Sequence, residues 1–358
     1  MDLEKTREIR INPIIPAESV LIATERGGRP GSEKQKTALD GRQFVQDCPF
    51  CPGNEEKTPE EIYRFPAQGL WQLRAVRNLY PVFGDDGDST SLNMGIHHII
   101  NGYGRHEVFI DHPQHGIHLT EMTEDHIAAL LRAYRDRMSD LYQATENHIY
   151  VMVFKNFGPA SGGSIPHTHS QIIAMPVIPE NVYNEIMHSR NYFQKHHQCI
   201  FCAMIDEALT FEATIYDRNS GAIRRKIDVG QYVVERGEKF IAIKPFASRY
   251  EWEVHILPLN HQSDFINSSD ADMEDFAAVL KHTMKRLDHV IGGAQYNFFL
   301  HSQPHGDTCA DCSPSFHWHL EICPRTSIPT GFELGSGVFV STISPEEAAE
   351  QLRAVAID

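Results

Sequence analysis

The chain contains no run approaching the 18 or so apolar residues of a membrane span. Its opening, Met1-Asp2-Leu3-Glu4-Lys5, lacks the apolar core of a signal peptide, so no membrane association is expected and a reducing cytoplasm is the expected setting. Basic residues are also scarce. Lys+Arg number 32 against 48 Asp+Glu, a formal charge of -16, which argues against general attraction to nucleic acid or an anionic membrane. Any anionic substrate must then be held by a few placed cations. Cysteine is sparse and odd in number, 7 in all, and in a reduced compartment such residues point to metal ligation or catalysis before disulfides. Histidine is plentiful, with 21 residues. A length of 358 residues, with 41% hydrophobic and 22% charged, fits a globular protein of two domains or of one duplicated unit.

Repetition favours the duplicated unit. Cys48-Pro49-Phe50-Cys51 returns as Cys199-Ile200-Phe201-Cys202. Glu107-Val108-Phe109-Ile110, leading to His115, returns as Glu253-Val254-His255-Ile256, leading to His261 at an offset of 146. His167-Thr168-His169 returns as His317-Trp318-His319. Three motifs in one order at near-constant spacing indicate internal duplication. Between them, Ile127, Leu130, Leu131, Tyr134, Met138 and Leu141 follow a helical period, and 149 residues later stand Phe276, Val279, Leu280, Thr283, Leu287 and Val290. Thr123 and Ser269 are placed to cap the two helices. With β-rich stretches at Ile149–Phe154 and Tyr296–Leu300, each half reads as α+β, an antiparallel sheet backed by one long helix. The expected halves are 1–185 and 186–358. Arg26–Arg42, Asp217–Glu238 and the tail beyond Pro324 have no counterparts and suit substrate loops or subunit contacts.

Each C-x-x-C pair offers two soft thiolates, and distant histidines would complete a four-coordinate zinc site. The expected sets are Cys48, Cys51, His115 and His167 in the first half, and Cys199, Cys202, His261 and His317 in the second. That predicts two Zn2+ per chain, with iron admissible in the second site. Such closed sites would be structural. Cys309 and Cys312 form a third pair without a repeat partner, and Cys323 suits a buried inert thiol.

The segment from Phe154 to Gln171 runs from a strand through a Gly/Ser-rich loop into His-x-His-x-Gln. The glycines are expected to let backbone N–H groups approach phosphate, with Ser164 adding a hydroxyl. The two histidines are expected on opposite strand faces, His167 inward toward a metal and His169 outward toward substrate. A neutral imidazole beside a phosphate loop can attack an α-phosphorus as a nucleophile.

These motifs together resemble the galactose-1-phosphate uridylyltransferase family of the histidine-triad superfamily, including plant-type relatives that act on ADP-sugars. The resemblance runs through Arg26-x-x-Arg29-Pro30, Cys48 to Asn54, Pro113 to His115, the F-x-N-x-G-x3-G-x4-H-x-H-x-Q run and Gly331-Phe332-Glu333. It implies a nucleotidyltransferase working through a nucleotidyl-His169 in a ping-pong cycle, with Gln171 and Ser164 on the α-phosphoryl group. Asn156, Gly162 and Gly163 would line the same phosphates. By the same resemblance, Arg26 and Arg29 lie near the sugar phosphate, Asn78 holds the nucleoside, and Phe332 and Glu333 reach the hexose, often from the second subunit of a homodimer.

The resemblance implies a nucleotide sugar and a hexose 1-phosphate as substrates and a place in galactose metabolism, UDP-glucose:hexose-1-phosphate uridylyltransferase being the main expectation. An ADP-sugar phosphorylase or adenylyltransferase with phosphate or sulfate as acceptor is the alternative, because His-x-His-Ser-Gln and Gly331-Phe332-Glu333 look more like the ADP-sugar branch, and Lys155 and Thr168 stand where the best-known uridylyltransferases have an acid and a proline. A zinc-stabilised nucleotide sensor without turnover is the reading from a different class. Glu321 falls where Gln171 stands, and the second half has no glycine loop, so one active site per chain is expected, His319 being a relic or an alternative metal ligand.

Overall fold

The computed structural model describes residues 7–28, 40–87, 89–217, 220–306 and 311–357. Thr123 and Ser269 cap as expected, their side chains accepting hydrogen bonds from His126 N and Asp272 N. The long helices that follow are α1 (Glu124–Ala144) and, with α2 (Glu180–His196) and α3 (Ile200–Thr210) between, α4 (Asp270–Ile291). The apolar stripe of α1 is buried along its whole length. On α4, Phe276, Val279, Leu280, Thr283 and Leu287 are buried and Val290 packs at the edge. Leu280 and its neighbours each contribute about 1.5 to 3 kcal/mol by leaving water. The two helices lie side by side, so the duplicated stripes share one core.

Ahead of α1 come β1 (Glu8–Ile11), β2 (Ser19–Ile22), β3 (Glu61–Phe65), β4 (Leu73–Arg77), the β5–β6 hairpin (Ser91–Met94, His97–Ile100) and β7 (Arg105–Ile110). Then follow β8 (Tyr150–Phe157), β9 (His169–Met175), the β10–β11 hairpin (Glu212–Tyr216, Ile223–Asp228), β12 (Val233–Arg236), β13 (Phe240–Ile243), β14 (Val254–Pro258), β15 (Tyr296–His301) and β16 (His319–Pro324). The chain closes on α5 (Gly331–Ser336), β17 (Val338–Ser341) and α6 (Pro345–Arg353).

Ten strands form one sheet in the order β12-β13-β14-β16-β15-β8-β9-β7-β4-β3. The order is a palindrome of the duplication: β3, β4, β7, β9 and β8 repeat as β12, β13, β14, β16 and β15. The halves join edge to edge where Asn156 of β8 pairs with Asn297 of β15, which removes two exposed sheet edges. Strand β12 thus has a counterpart in β3, although its residues fall in the stretch expected to have none. Separately, the N-terminal β2 pairs with both β1 and the C-terminal β17. This small sheet packs Val20 and Ile22 on Ala247 of the second half.

The register corrects one repeat by a residue. Val108 lies opposite Gln171, and His255 lies opposite Glu321, so Val108 corresponds to His255 and His106 to Glu253. The sequence match of Glu107 with Glu253 is off by one, and in a strand such a slip exchanges faces. Accordingly Glu107 faces α1, where Arg137 grips it through two 2.7 Å hydrogen bonds, whereas Glu253 lies with His255 and Glu321 on the other face.

Candidate active site and metal centres

On the sheet face away from α1 and α4, the first cysteine pair meets two histidines. The ligand atoms of Cys48, Cys51, His115 and His167 lie within 4.8 Å of one another, and all four residues are buried. Cys51 Sγ is 3.5 Å from His115 Nδ1 and 3.6 Å from His167 Nδ1. The outer nitrogen of His167 is held from behind, Nε2 donating to His112 O at 2.8 Å; His115 Nε2 lies 3.3 Å from Asp40 Oδ2 without forming a hydrogen bond to it. Burial lowers the His167 pKa to about 4, keeping the ring neutral as a ligand requires. Cys199, Cys202, His261 and His317 repeat this arrangement. Their outer nitrogens are held by Ser313 O at 2.7 Å and Pro258 O at 3.0 Å. Two sulfurs and two oriented imidazole nitrogens form a donor set that fits zinc, and carbonyl or carboxylate partners behind the rings are what metal-bound histidines use.

His169 opens β9, and its Nδ1 lies 2.8 Å from His167 O. A carbonyl can only accept, so Nδ1 carries the proton and Nε2 carries the lone pair. Burial, reinforced by the Lys155 charge, holds the imidazole below its ordinary pKa and hence neutral. Two expectations need correction here. Residues two apart on a strand share a face, and the two histidines part company because His167 precedes the strand. His169 is also not outward, being 8% exposed, with the Phe50 ring 5.6 Å away.

Beneath His169 lies a buried network that the sequence did not disclose. Lys155 Nζ donates to Asp111 Oδ2 at 2.5 Å, Thr168 Oγ1 at 2.8 Å and the His169 carbonyl at 3.0 Å. Ser170 Oγ donates to the other Asp111 oxygen at 2.6 Å, and Tyr134 OH donates to Ser170 at 2.6 Å. Lys155 and Thr168, the two expected departures from the uridylyltransferase pattern, thus form one contact. Their separation of 13 residues gave no sign of contact, since only the β8–β9 pairing brings them together.

Gln171 shares the His169 face of β9, two residues on, and its Oε1 is 2.8 Å from His106 Nε2. Asn78 lies beside them, its Nδ2 3.1 Å from the same ring nitrogen. On the neighbouring strand Phe154 lies opposite Gln171, so Asn156 falls on the same face, its Oδ1 accepting from Asn297 at 2.8 Å. Gly158 and Gly162 have φ of 86° and 85°, and a Cβ on Gly163 would come 2.8 Å from Asn156 O. The glycines are therefore needed for the turn itself. The expected use of their backbone differs, however: Ser161 N and Gly163 N donate to Gly158 O, Gly162 N donates to Pro159 O, and Ala160 N donates to Gln295. Ser164 is exposed and is the loop hydroxyl open to a phosphate.

The second half keeps the fold of this site with different charges. His319 Nδ1 lies 3.0 Å from His317 O, as in the first half. Its Nε2 faces Glu185 at 3.7 Å and Glu321 at 3.6 Å, and Glu185, His301, His319 and Glu321 form a buried cluster apart from the cysteines. Burial opposes the charge on His319, but the two carboxylates outweigh it and raise its pKa to about 10; the ligand atoms of the four residues lie within 4.8 Å of one another, as the alternative reading of His319 as a metal ligand requires. Arg249 bridges Glu253, at 2.9 Å, and Glu321.

The remaining expected residues lie elsewhere. Arg26 follows β2 and Glu333 lies on α5, where the Arg26 charge helps to lower its carboxyl pKa behind a hydrogen bond from Thr330. Phe332 on the same helix is exposed. These belong with the small β1-β2-β17 sheet and the second half. Arg29 and Cys309 lie outside the described residues, while Cys312 and Cys323 are buried. Among the described residues no helix is long and apolar enough to cross a membrane.

A neutral imidazole at His169, a neutral amide at Gln171 on the same strand face and a duplicated α+β frame make up this site. The model of the galactose-1-phosphate uridyl transferase N-terminal domain matches residues 1–179, and the chain belongs to that family. Among its relatives, ADP-glucose phosphorylase of Arabidopsis thaliana is 29% identical over 353 residues, covering 98% of this chain and 93% of the relative. Galactose-1-phosphate uridylyltransferase of Thermotoga maritima is 27% identical over 359 residues, covering 98% and 99%. The crystal structure of the Arabidopsis ADP-glucose phosphorylase with bound ADP-glucose superimposes with a TM-score of 0.81 at 27% identity, covering 98% of this chain and 100% of that one. The protein is an enzyme of the transferase class, a nucleotidyltransferase.

Proposed function

We propose that the enzyme moves a nucleotidyl group between a nucleotide sugar and a hexose 1-phosphate, as a UDP-glucose:hexose-1-phosphate uridylyltransferase of galactose metabolism. His169 Nε2 attacks the α-phosphorus, the bond to the β-phosphate oxygen breaks, and hexose 1-phosphate leaves. A phosphate oxygen of a second hexose 1-phosphate then attacks the same phosphorus and frees His169. The observation that carries this reading is the 2.8 Å contact from His169 Nδ1 to the His167 carbonyl, which fixes the nucleophilic tautomer. Gln171 and Ser164 would donate to the α-phosphoryl oxygens, where charge builds in each transition state. A neutral amide at 171 cannot activate water as a base, so the intermediate survives to meet its acceptor.

The two Cys2His2 sets would each hold one Zn2+, with iron the other candidate for the second. Bound zinc there is structural, neutralising paired thiolates and fixing the segment that ends in His169. Residues 1–185 would carry the working site and residues 186–358 its duplicate and the tail. Asn78 and Asn156 would line the nucleotide. Arg26 and Arg29 would lie near the sugar phosphate, and Phe332 and Glu333, in the tail, would reach the hexose from the second copy in a homodimer.

An ADP-sugar donor with inorganic phosphate or sulfate as acceptor is the second reading. It is favoured by Lys155 and Thr168 and by the likeness to the ADP-glucose phosphorylase. Radiolabelled UDP-glucose and ADP-glucose, each supplied without acceptor, decide between them: the true donor labels the denatured wild-type chain and leaves His169→Ala unlabelled. Equal labelling of both chains would refute the nucleophile, and label from ADP-glucose alone would replace the main reading by the second.

A further inference from the structure

His106 takes no part in the chemistry described above, yet it is buried and touches Gln171. Its ring is fixed from the backbone. Val82 N lies 3.2 Å from His106 Nδ1, and a backbone N–H can only donate, so Nδ1 must be the bare nitrogen and Nε2 must carry the proton. The Nε2–H then donates to the oxygen 2.8 Å away, Gln171 Oε1. Asn78 Nδ2, 3.1 Å from the same nitrogen, is a donor facing a donor in this tautomer and makes no hydrogen bond there. The Asn78 amide is itself fixed by Tyr80 N, which donates to its Oδ1 at 2.8 Å.

We infer that His106 is the positioning residue that sets the orientation of the Gln171 amide, turning its NH2 rather than its oxygen toward the phosphoryl group. The inference rests on Gln171 serving as the α-phosphoryl donor. An amide has two ends of opposite polarity, and only one of them stabilises an anion. Reversed, Gln171 would present a carbonyl oxygen to the developing negative charge. The site therefore needs an obligate donor behind Gln171, and a histidine locked by a main-chain N–H is one that no change of side-chain partners can invert. Burial depresses the His106 pKa, in keeping with a ring that holds one proton. In the second half the corresponding positions carry Glu253 and Glu321, so neither the donor nor the amide is present there.

Two measurements test this. Single-turnover transfer of label to His169 is followed in wild type, H106Q, H106E, Q171A and the H106E/Q171A double variant. Glutamine at 106 can place an NH2 near the Nε2 position but, unlike the locked ring, can also reverse, so its rate falls between those of wild type and H106E. Glutamate offers only acceptors when ionised, forces the Gln171 amide to reverse, and lowers kcat by roughly 10²- to 10³-fold with KM little changed, the loss expected of one transition-state donor. In the Q171A background the same H106E change should cost little, because the two residues act as one unit. An equal loss in both backgrounds, or an H106E enzyme as fast as H106Q, overturns the inference. The second measurement is independent of turnover: 15N shifts of histidine-labelled protein, with the His106 signal identified by its absence in H106Q, should show Nε2 protonated and Nδ1 bare. A protonated Nδ1 refutes the inference. If wild type takes no label, the nucleotidyl-histidine reading falls, while the tautomer still decides whether His106 orients Gln171.

Discussion

Replacing Lys155 by methionine would remove the cation beneath His169 while nearly preserving its volume. Lys155 is 2% exposed and Asp111 is 1% exposed, so the change strands a carboxylate in the interior with Ser170 as its remaining side-chain donor. Breaking one member of a buried pair typically costs about 3 to 5 kcal/mol, because an uncompensated charge remains. The same substitution leaves Thr168 Oγ1 and the His169 carbonyl without their donor. The expected result is a fall of about 3 to 5 kcal/mol in unfolding free energy, measured as a lower urea midpoint at constant slope. Changing Asp111 to leucine as well removes the stranded charge, so the double variant should recover a large part of the loss. Nucleotidylation should stay slow in both, since the support under the nucleophile is gone. If Lys155→Met costs under about 1 kcal/mol, the pair behaves like an exposed salt bridge, and the account of a buried network is refuted.

Gln171→Ala should lower kcat of nucleotidyl transfer by roughly 10²- to 10³-fold, equivalent to about 2.7 to 4 kcal/mol; an effect confined to KM would show ground-state binding alone. Elemental analysis should find one zinc for each of the two Cys2His2 groups, with Cys51→Ser and Cys202→Ser each losing one, and a metal-free purified enzyme would refute both sites. Acid stability should depend on Glu253. Although its burial opposes ionisation, Arg249 and His255 lower its pKa from 4.5 to about 2. A carboxyl depressed on folding adds stability that is present above its unfolded pKa and lost as pH falls through the folded one. The acid limb between about pH 4.5 and 2 should therefore flatten in Glu253→Gln, and an unchanged limb would show that the carboxyl is not held.

What could be read along the chain was whatever depends on local period and short spacing. The stripes of α1 and α4, the caps Thr123 and Ser269 and the two C-x-x-C pairs fall into this group, and the repeat of the motifs pointed to the distant histidines grouped with those pairs. Features set by strand pairing were not legible. Glu107 and Glu253 match in sequence but lie on opposite faces, since the strands align one residue apart from the motifs. Lys155 and Thr168 looked like two unrelated departures, yet antiparallel pairing of β8 and β9 makes them one contact. The glycine run was legible as a turn, but where its N–H groups point depends on Gly158 O and Gln295, the latter 132 positions after Gly163 in the chain. The pairing of β2 with β17 is likewise set by the folded arrangement of the two chain ends.

The two halves share one frame but bring different charges to it. In the first, His169 is neutral and is flanked by the amides of Gln171, Asn78 and Asn156. In the second, the equivalent ring stands between Glu185 and Glu321, and Glu253 replaces His106. A nucleotide phosphate placed there would meet three carboxylates, while Arg249 is already engaged by Glu253 and Glu321. In a low-dielectric interior like charges repel strongly, so the carboxylates weigh against a phosphate there although His319 Nδ1 makes the same carbonyl contact. A single Glu321→Gln exchange would leave Glu185 and Glu253 in place. On the reading of one active site per chain, a second would need the carboxylates changed together with a glycine loop, which the sequence after His301 does not carry.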